Sequence, residues 1–131
     1  MNDVNSARKM RSALGQVRGY GPAKSGLRHW RAQRLTAIAL LPLTFYFVIS
    51  ILVLKGANQV AIRAYMHEPW NAVLFLGLAV CLFYHAQLGL EVVIEDYIHN
   101  EGRRVLLLLL MRGSIAFFGL LATISILKLA L

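Results

Sequence analysis

Residues 35–54 read LTAIALLPLTFYFVISILVL, twenty residues without a single charge. A helix of about 20 apolar residues crosses a hydrocarbon core of roughly 30 Å. Lipid offers bare backbone no hydrogen-bond partner, so a run of this kind has to be helical. Pro42 removes one backbone donor and predicts a kink in this span, which Lys55 and Gly56 then close. Two further apolar runs follow, from about Trp70 to Ile94 and from about Val105 to Leu131. The chain is therefore predicted to be an all-α integral membrane protein with three transmembrane helices, over about 35–54, 70–94 and 105–131.

The composition agrees with this reading. Of the 131 residues 58% are apolar and only 15% charged, where a soluble domain is about a quarter charged. Cys81 is the only cysteine and lies in an apolar run, so no internal disulfide can form and a packed thiol is expected. Polar residues precede the first apolar run for some thirty positions, which argues against a secretory signal peptide.

The net charge of +8 matters because of where it sits. Eight of the 14 Lys and Arg lie between Arg8 and Arg34. Residues 1–34 thus form a basic tail, in which Gly15, Gly19, Gly21, Pro22 and Gly26 discourage regular helix, ahead of an anchor over 35–131. A basic flank on an apolar body points to anionic lipid at the cytoplasmic surface rather than to nucleic acid. Tail and second link must share one side of a three-span chain. Together they carry ten basic residues, against three for the first loop (Lys55, Arg63) and the C-terminus (Lys128). That count places the N-terminus in the cytoplasm and the C-terminus on the far, periplasmic side, with Arg112 snorkelling toward the cytoplasmic interface.

The loop over 55–69 is mixed, and Tyr65, His67 and Trp70 suit a membrane interface. A polar link runs from Glu95 to Arg104. His85, Gln87, Glu91 and Glu95 stand inside or at the edge of the second span. Polar groups in lipid are costly, so they are expected to face a neighbouring helix, another subunit or a bound group.

The second span also carries a stripe. With His85 at zero and about 100° per residue, Gly89 falls at about 40°, Val92 at about −20° and Asp96 at about 20°. Asp96 lies roughly 16 Å nearer the cytoplasm than His85, with Tyr97 beside it at the membrane edge. A mid-membrane imidazole can ligate haem iron, or it can hydrogen-bond a neighbouring helix, and the spacing leaves both open. Likewise Asp96 and Tyr97 can serve a lipid-soluble substrate, or simply be a helix-end acid and a belt tyrosine. Arg34 can pair with a propionate or be one more positive charge on the inner side.

At this point the sequence resembles a known family. The string His85-Ala86-Gln87-Leu88-Gly89-Leu90-Glu91-Val92-Val93-Ile94-Glu95-Asp96-Tyr97 resembles the signature of the small hydrophobic membrane anchor of succinate dehydrogenase, respiratory complex II, in its alphaproteobacterial style. That signature has a histidine, a glycine four residues on, and an Asp-Tyr pair eleven and twelve residues after the histidine. Arg34-Leu35-Thr36-Ala37-Ile38 also resembles the opening of the family's first span. The resemblance implies half of a heterodimeric anchor bundle, completed by a C-type anchor like a cytochrome b556 chain. It implies an iron-sulfur subunit and a flavoprotein docked on the cytoplasmic face. By position it implies His85 as an axial ligand of a shared haem b, Arg34 near its propionates, and Tyr97 with Asp96 at a ubiquinone site. On this reading the chain belongs to the inner membrane, works in electron transport and the tricarboxylic acid cycle, and does not itself oxidise succinate. The competing readings are a fumarate reductase anchor and a small proton or cation transporter subunit with Glu91 and Glu95 as ion sites.

Overall fold

The computed structural model describes residues 24–131, with side chains from 26 onward. The basic tail up to residue 23 lies outside the described residues. By internal contacts the chain divides into Met1–Trp30 and Arg31–Leu131. Every described element is helical: α1 (Lys24–Val53), α2 (Gln59–His67), α3 (Pro69–Tyr97) and α4 (Glu101–Ala130). Three of them are long and apolar enough to cross a membrane, over Gly26–Val53, Pro69–Tyr97 and Glu101–Ala130.

All three run beyond the apolar stretches that announce them. Helix α1 begins at Lys24 and passes through Gly26, a position expected to discourage helix. Leu27, Ala32, Gln33 and the neighbouring arginines are good helix formers, and they extend a helix already nucleated by the apolar run. Pro42 lies within α1, which continues past it. The link expected over 95–104 shrinks to Ile98, His99 and Asn100. The Asn100 side chain accepts a hydrogen bond from the Arg103 amide at 3.1 Å and so caps α4. Arg104 reaches Glu101 at 3.8 Å in that same first turn.

Helix α2 is an element that hydropathy alone does not announce. Gly56, at φ 81, turns the chain at the end of α1 in a conformation that suits glycine. Asn58 then caps α2 by accepting from the Ala61 amide at 2.9 Å. Ile62, Tyr65 and Met66 form its inner stripe, with Met66 buried, while Gln59, Arg63 and His67 face outward. Pro69 opens α3, where a missing N–H costs nothing.

A polar network holds α1, α2 and α3 together at the end away from the tail. Ser50 is fully buried. Its hydroxyl donates to the Tyr46 carbonyl at 2.8 Å and meets the Tyr65 hydroxyl at 2.9 Å. The Tyr65 and Tyr46 hydroxyls lie 2.9 Å apart. Tyr46 donates to Asn71 Oδ1, and Asn71 Nδ2 donates to the Tyr65 carbonyl at 2.6 Å. The Tyr46 and Phe47 rings pack edge-on against Phe75, at 6.2 and 5.7 Å between centroids. His67 Nδ1 donates to the last carbonyl of α4, Ala130 O, at 3.0 Å.

Helices α3 and α4 pack along much of their length. Phe83 lies so close to Gly119 that a Cβ there would be 3.5 Å from its ring. Among the described residues the core is small: Met66, Ala79 and Leu88, with Ser50. The long list of exposed Leu, Ile, Val and Phe side chains is what a thin bundle in lipid, or against other helices, presents.

Candidate functional site

The candidate site lies where α1 crosses the middle of α3. The two helices run antiparallel here, so moving toward the tail on α1 matches moving toward Tyr97 on α3. Thr36 meets His85, its hydroxyl 2.9 Å from Nδ1. The same hydroxyl lies 2.8 Å from the Ala32 carbonyl and 3.1 Å from the Gln33 carbonyl. Those carbonyls can only accept. With the hydroxyl hydrogen on the Ala32 carbonyl, the Thr36 oxygen accepts from Nδ1–H. This assignment leaves the lone pair of His85 on Nε2 and fixes the ring's orientation.

One turn along, Gln33 covers Gly89. A Cβ built on Gly89 would stand 3.5 Å from Gln33 Nε2. The other end of that amide, Oε1, is buried and has no hydrogen-bond partner. Such atoms are rare in folded chains and mark places where something else is due. Sequence reasoning missed Gln33. The available signal was its place three residues before Thr36, on the same face of α1.

The remaining predicted residues stand apart from this contact. Arg34 is exposed and, two residues before Thr36, sits about 160° round α1 from it. Asp96 and Tyr97 occupy the last turn of α3, both exposed, with Tyr97 at 76%. They lie roughly 16 Å along the helix from His85. The site residues thus form two places on one helix, a mid-span histidine and a membrane-edge acid and phenol. Among the described residues no three His, Cys, Asp or Glu side chains gather, so His85 offers a metal one ligand and no cage.

Arg112, expected to snorkel, has a partner within the chain. It pairs with Glu91 across the α3–α4 contact. The Glu91 side chain is only 13% exposed and the Arg112 side chain 53%. Glu91 lies about 120° round α3 from His85, so this pair is separate from the histidine contact. It neutralises within the chain a carboxylate that the sequence left in need of a partner.

With this arrangement in view, the chain can be placed among known proteins. The family model of the succinate dehydrogenase/fumarate reductase transmembrane subunit matches residues 6–121. The chain belongs to that family. Among relatives of this succinate dehydrogenase/fumarate reductase subunit, the succinate dehydrogenase hydrophobic membrane anchor subunit of Rickettsia bellii is 35% identical over 99 residues, covering 75% of this chain and 79% of the relative. The succinate dehydrogenase membrane anchor subunit of Reclinomonas americana is 32% identical over 92 residues, 68% of this chain and 77% of the relative. The hydrophobic membrane anchor subunit of Paracoccus denitrificans is 29% identical over 86 residues, 66% and 67% respectively. No solved structure matches the chain significantly.

Proposed function

We propose that this chain is the small anchor of a succinate dehydrogenase. It joins a second, C-type anchor to complete a bundle that tethers the iron-sulfur and flavoprotein subunits, binds haem b through His85 and offers ubiquinone a site at Asp96 and Tyr97. Family membership supports the anchoring role, and named relatives of the dehydrogenase favour it over the fumarate reductase reading. The transporter reading needs Glu91 as an ion site, whereas Glu91 is engaged by Arg112.

The haem reading rests on the Thr36–His85 contact. The residues present fit one side of a haem. Held through Nδ1, His85 has Nε2 for iron, and Gly89 one turn on presents no side chain of its own to a flat ring. Arg34, which the resemblance assigns to a propionate, lies on nearly the opposite side of α1 from Thr36 and adds nothing to that fit. A second histidine ligand would have to come from the partner anchor, since His29, His67 and His99 lie outside the apolar cores of the spans. Haem, when bound, supplies a one-electron centre inside the membrane.

At the membrane edge the Tyr97 hydroxyl donates a hydrogen bond to a quinone carbonyl. Asp96 beside it passes protons from the cytoplasmic water as two electrons arrive. The chain carries no succinate chemistry. It spans the inner membrane with its basic tail and Arg103–Arg104 in the cytoplasm, where they face the docked subunits and anionic headgroups.

The test is a reduced-minus-oxidised visible spectrum of the complex purified through this chain, wild type against His85→Ala. The reading expects a b-type band in the wild type that is lost or shifted in the variant. An unchanged band in His85→Ala refutes ligation by this residue.

A further inference from the structure

At the end of the bundle away from the tail, a cavity of about 420 Å³ lies among the helix ends. Each helix gives it a wall: Ile51 from α1, Met66 from α2, Phe75 from α3 and Ile126 from α4. Among its described lining residues every side chain is apolar but one, Lys55, just past the end of α1. Ile51 stands one turn before Lys55, about 6 Å along the chain axis, and Phe75 lies about 9 Å in from Pro69 at the start of α3. The cavity therefore begins just beneath the membrane surface. On the α1 side Ile51 and Leu52 are exposed, so it opens sideways to the lipid.

We infer that this cavity seats one acyl chain of an anionic phospholipid, whose phosphate pairs with the Lys55 ammonium. An apolar bed beneath a single cation suits an amphiphile with a negative head. The aliphatic stem of a lysine lies well along an apolar wall while its charge stays at the interface. The charges nearby have the same sign: the loop after α1 and the end of α4 carry Lys55, Arg63 and Lys128 against one acid, Glu68. A quinone carbonyl would find no donor here besides Lys55, because the neighbouring hydroxyls of Tyr46, Ser50 and Tyr65 are bonded within their own network. A partner helix about 10 Å across would fill the 420 Å³ with roughly one turn. A single hydrocarbon chain is slim enough to enter between helices. Nothing in this site depends on haem.

The experiment uses the complex purified through this chain and placed in phosphatidylcholine vesicles. The probe is phosphatidylglycerol with a photoactivatable diazirine on an upper carbon of one acyl chain, set against phosphatidylcholine with the same chain. After illumination, adducts on Ile51, Met66 and Ile126 are counted by mass spectrometry of peptides. Met66 is only 3% exposed and lines the cavity, so an adduct there reports a chain inside it. In wild type the phosphatidylglycerol probe is expected to label these residues about fivefold more than the phosphatidylcholine probe. Lys55→Gln, a change at an exposed side chain, should bring the two probes level, and Lys55→Arg should restore the difference. Equal labelling by the two probes in wild type, or a preference that survives Lys55→Gln, overturns recognition of the head by Lys55. A wild type with no adduct on Met66 from either probe overturns the site altogether, and a partner chain or another occupant then covers the cavity.

Discussion

Replacing Thr36 by Val removes one oxygen and keeps a β-branched shape at the same point of α1. The hydroxyl's bond to the Ala32 carbonyl at 2.8 Å is a local back-bond, and losing it costs the helix little. The contact with His85 at 2.9 Å is different. Without it a part-buried Nδ1–H loses its acceptor, a loss of about 1–3 kcal/mol, and the ring loses the partner that sets its tautomer. Removal of such supporting partners weakens metal binding by about 10–100-fold. On the proposed function, Thr36→Val should therefore release haem to an acceptor such as apomyoglobin about tenfold or more faster than wild type. Thr36→Ser, which restores the hydroxyl, should return close to wild type. Haem retention equal in Thr36→Val and wild type would refute the claim that this hydroxyl holds the ligand. So would a serine variant as weak as the valine one.

Three other outcomes are expected. On the proposed quinone site, Tyr97→Phe should slow succinate-driven quinone reduction by about tenfold or more while leaving oxidation by an artificial dye unchanged, since only the proposed hydrogen bond to the quinone would be lost. Equal loss of both activities would place Tyr97 outside a quinone site. Arg112→Leu should destabilise the detergent-solubilised complex more than the double variant Arg112→Leu/Glu91→Gln, because the single change leaves a largely covered carboxylate without its cation. Thermal unfolding of the two reads this directly, and a double variant less stable than the single one would contradict the pairing. Tyr65→Phe should loosen α2 and speed proteolysis in the loop over 54–58, because its hydroxyl joins Tyr46 to Ser50. An unchanged cleavage rate would show that the network does not hold α2 in place.

Hydropathy made the middle of each span legible and left the ends unread. The charged and polar residues at Arg28–Arg34, Glu95–Tyr97 and Glu101–Arg104 interrupt the apolar pattern without interrupting the helix, since helix formers continue what an apolar run has nucleated. Helix α2 escaped for the opposite reason. Its nine residues are too few for a stable isolated helix, and its order comes from Met66, Tyr65 and the Ser50 network beneath it.

The site shows the same division. The stripe from His85 through Gly89 to Asp96 was visible because it repeats on one helix. The partner of His85 was not, because Thr36 is 49 residues away in the chain. Gln33 and the Glu91–Arg112 pair were hidden likewise, since helical periodicity says which residues share a face but nothing about which helix that face meets. Arg34 stood out in the sequence next to Thr36, yet two residues along a helix put it on nearly the opposite side.

The most direct test of the account is to tag this chain at its C-terminus, extract it gently from native membranes and ask what elutes with it. The account predicts one assembly that oxidises succinate with an artificial dye, reduces ubiquinone and shows a b-type absorption band, all in the same fractions. A tagged chain that elutes alone or as an oligomer of itself, with neither succinate oxidation nor pigment, would contradict it.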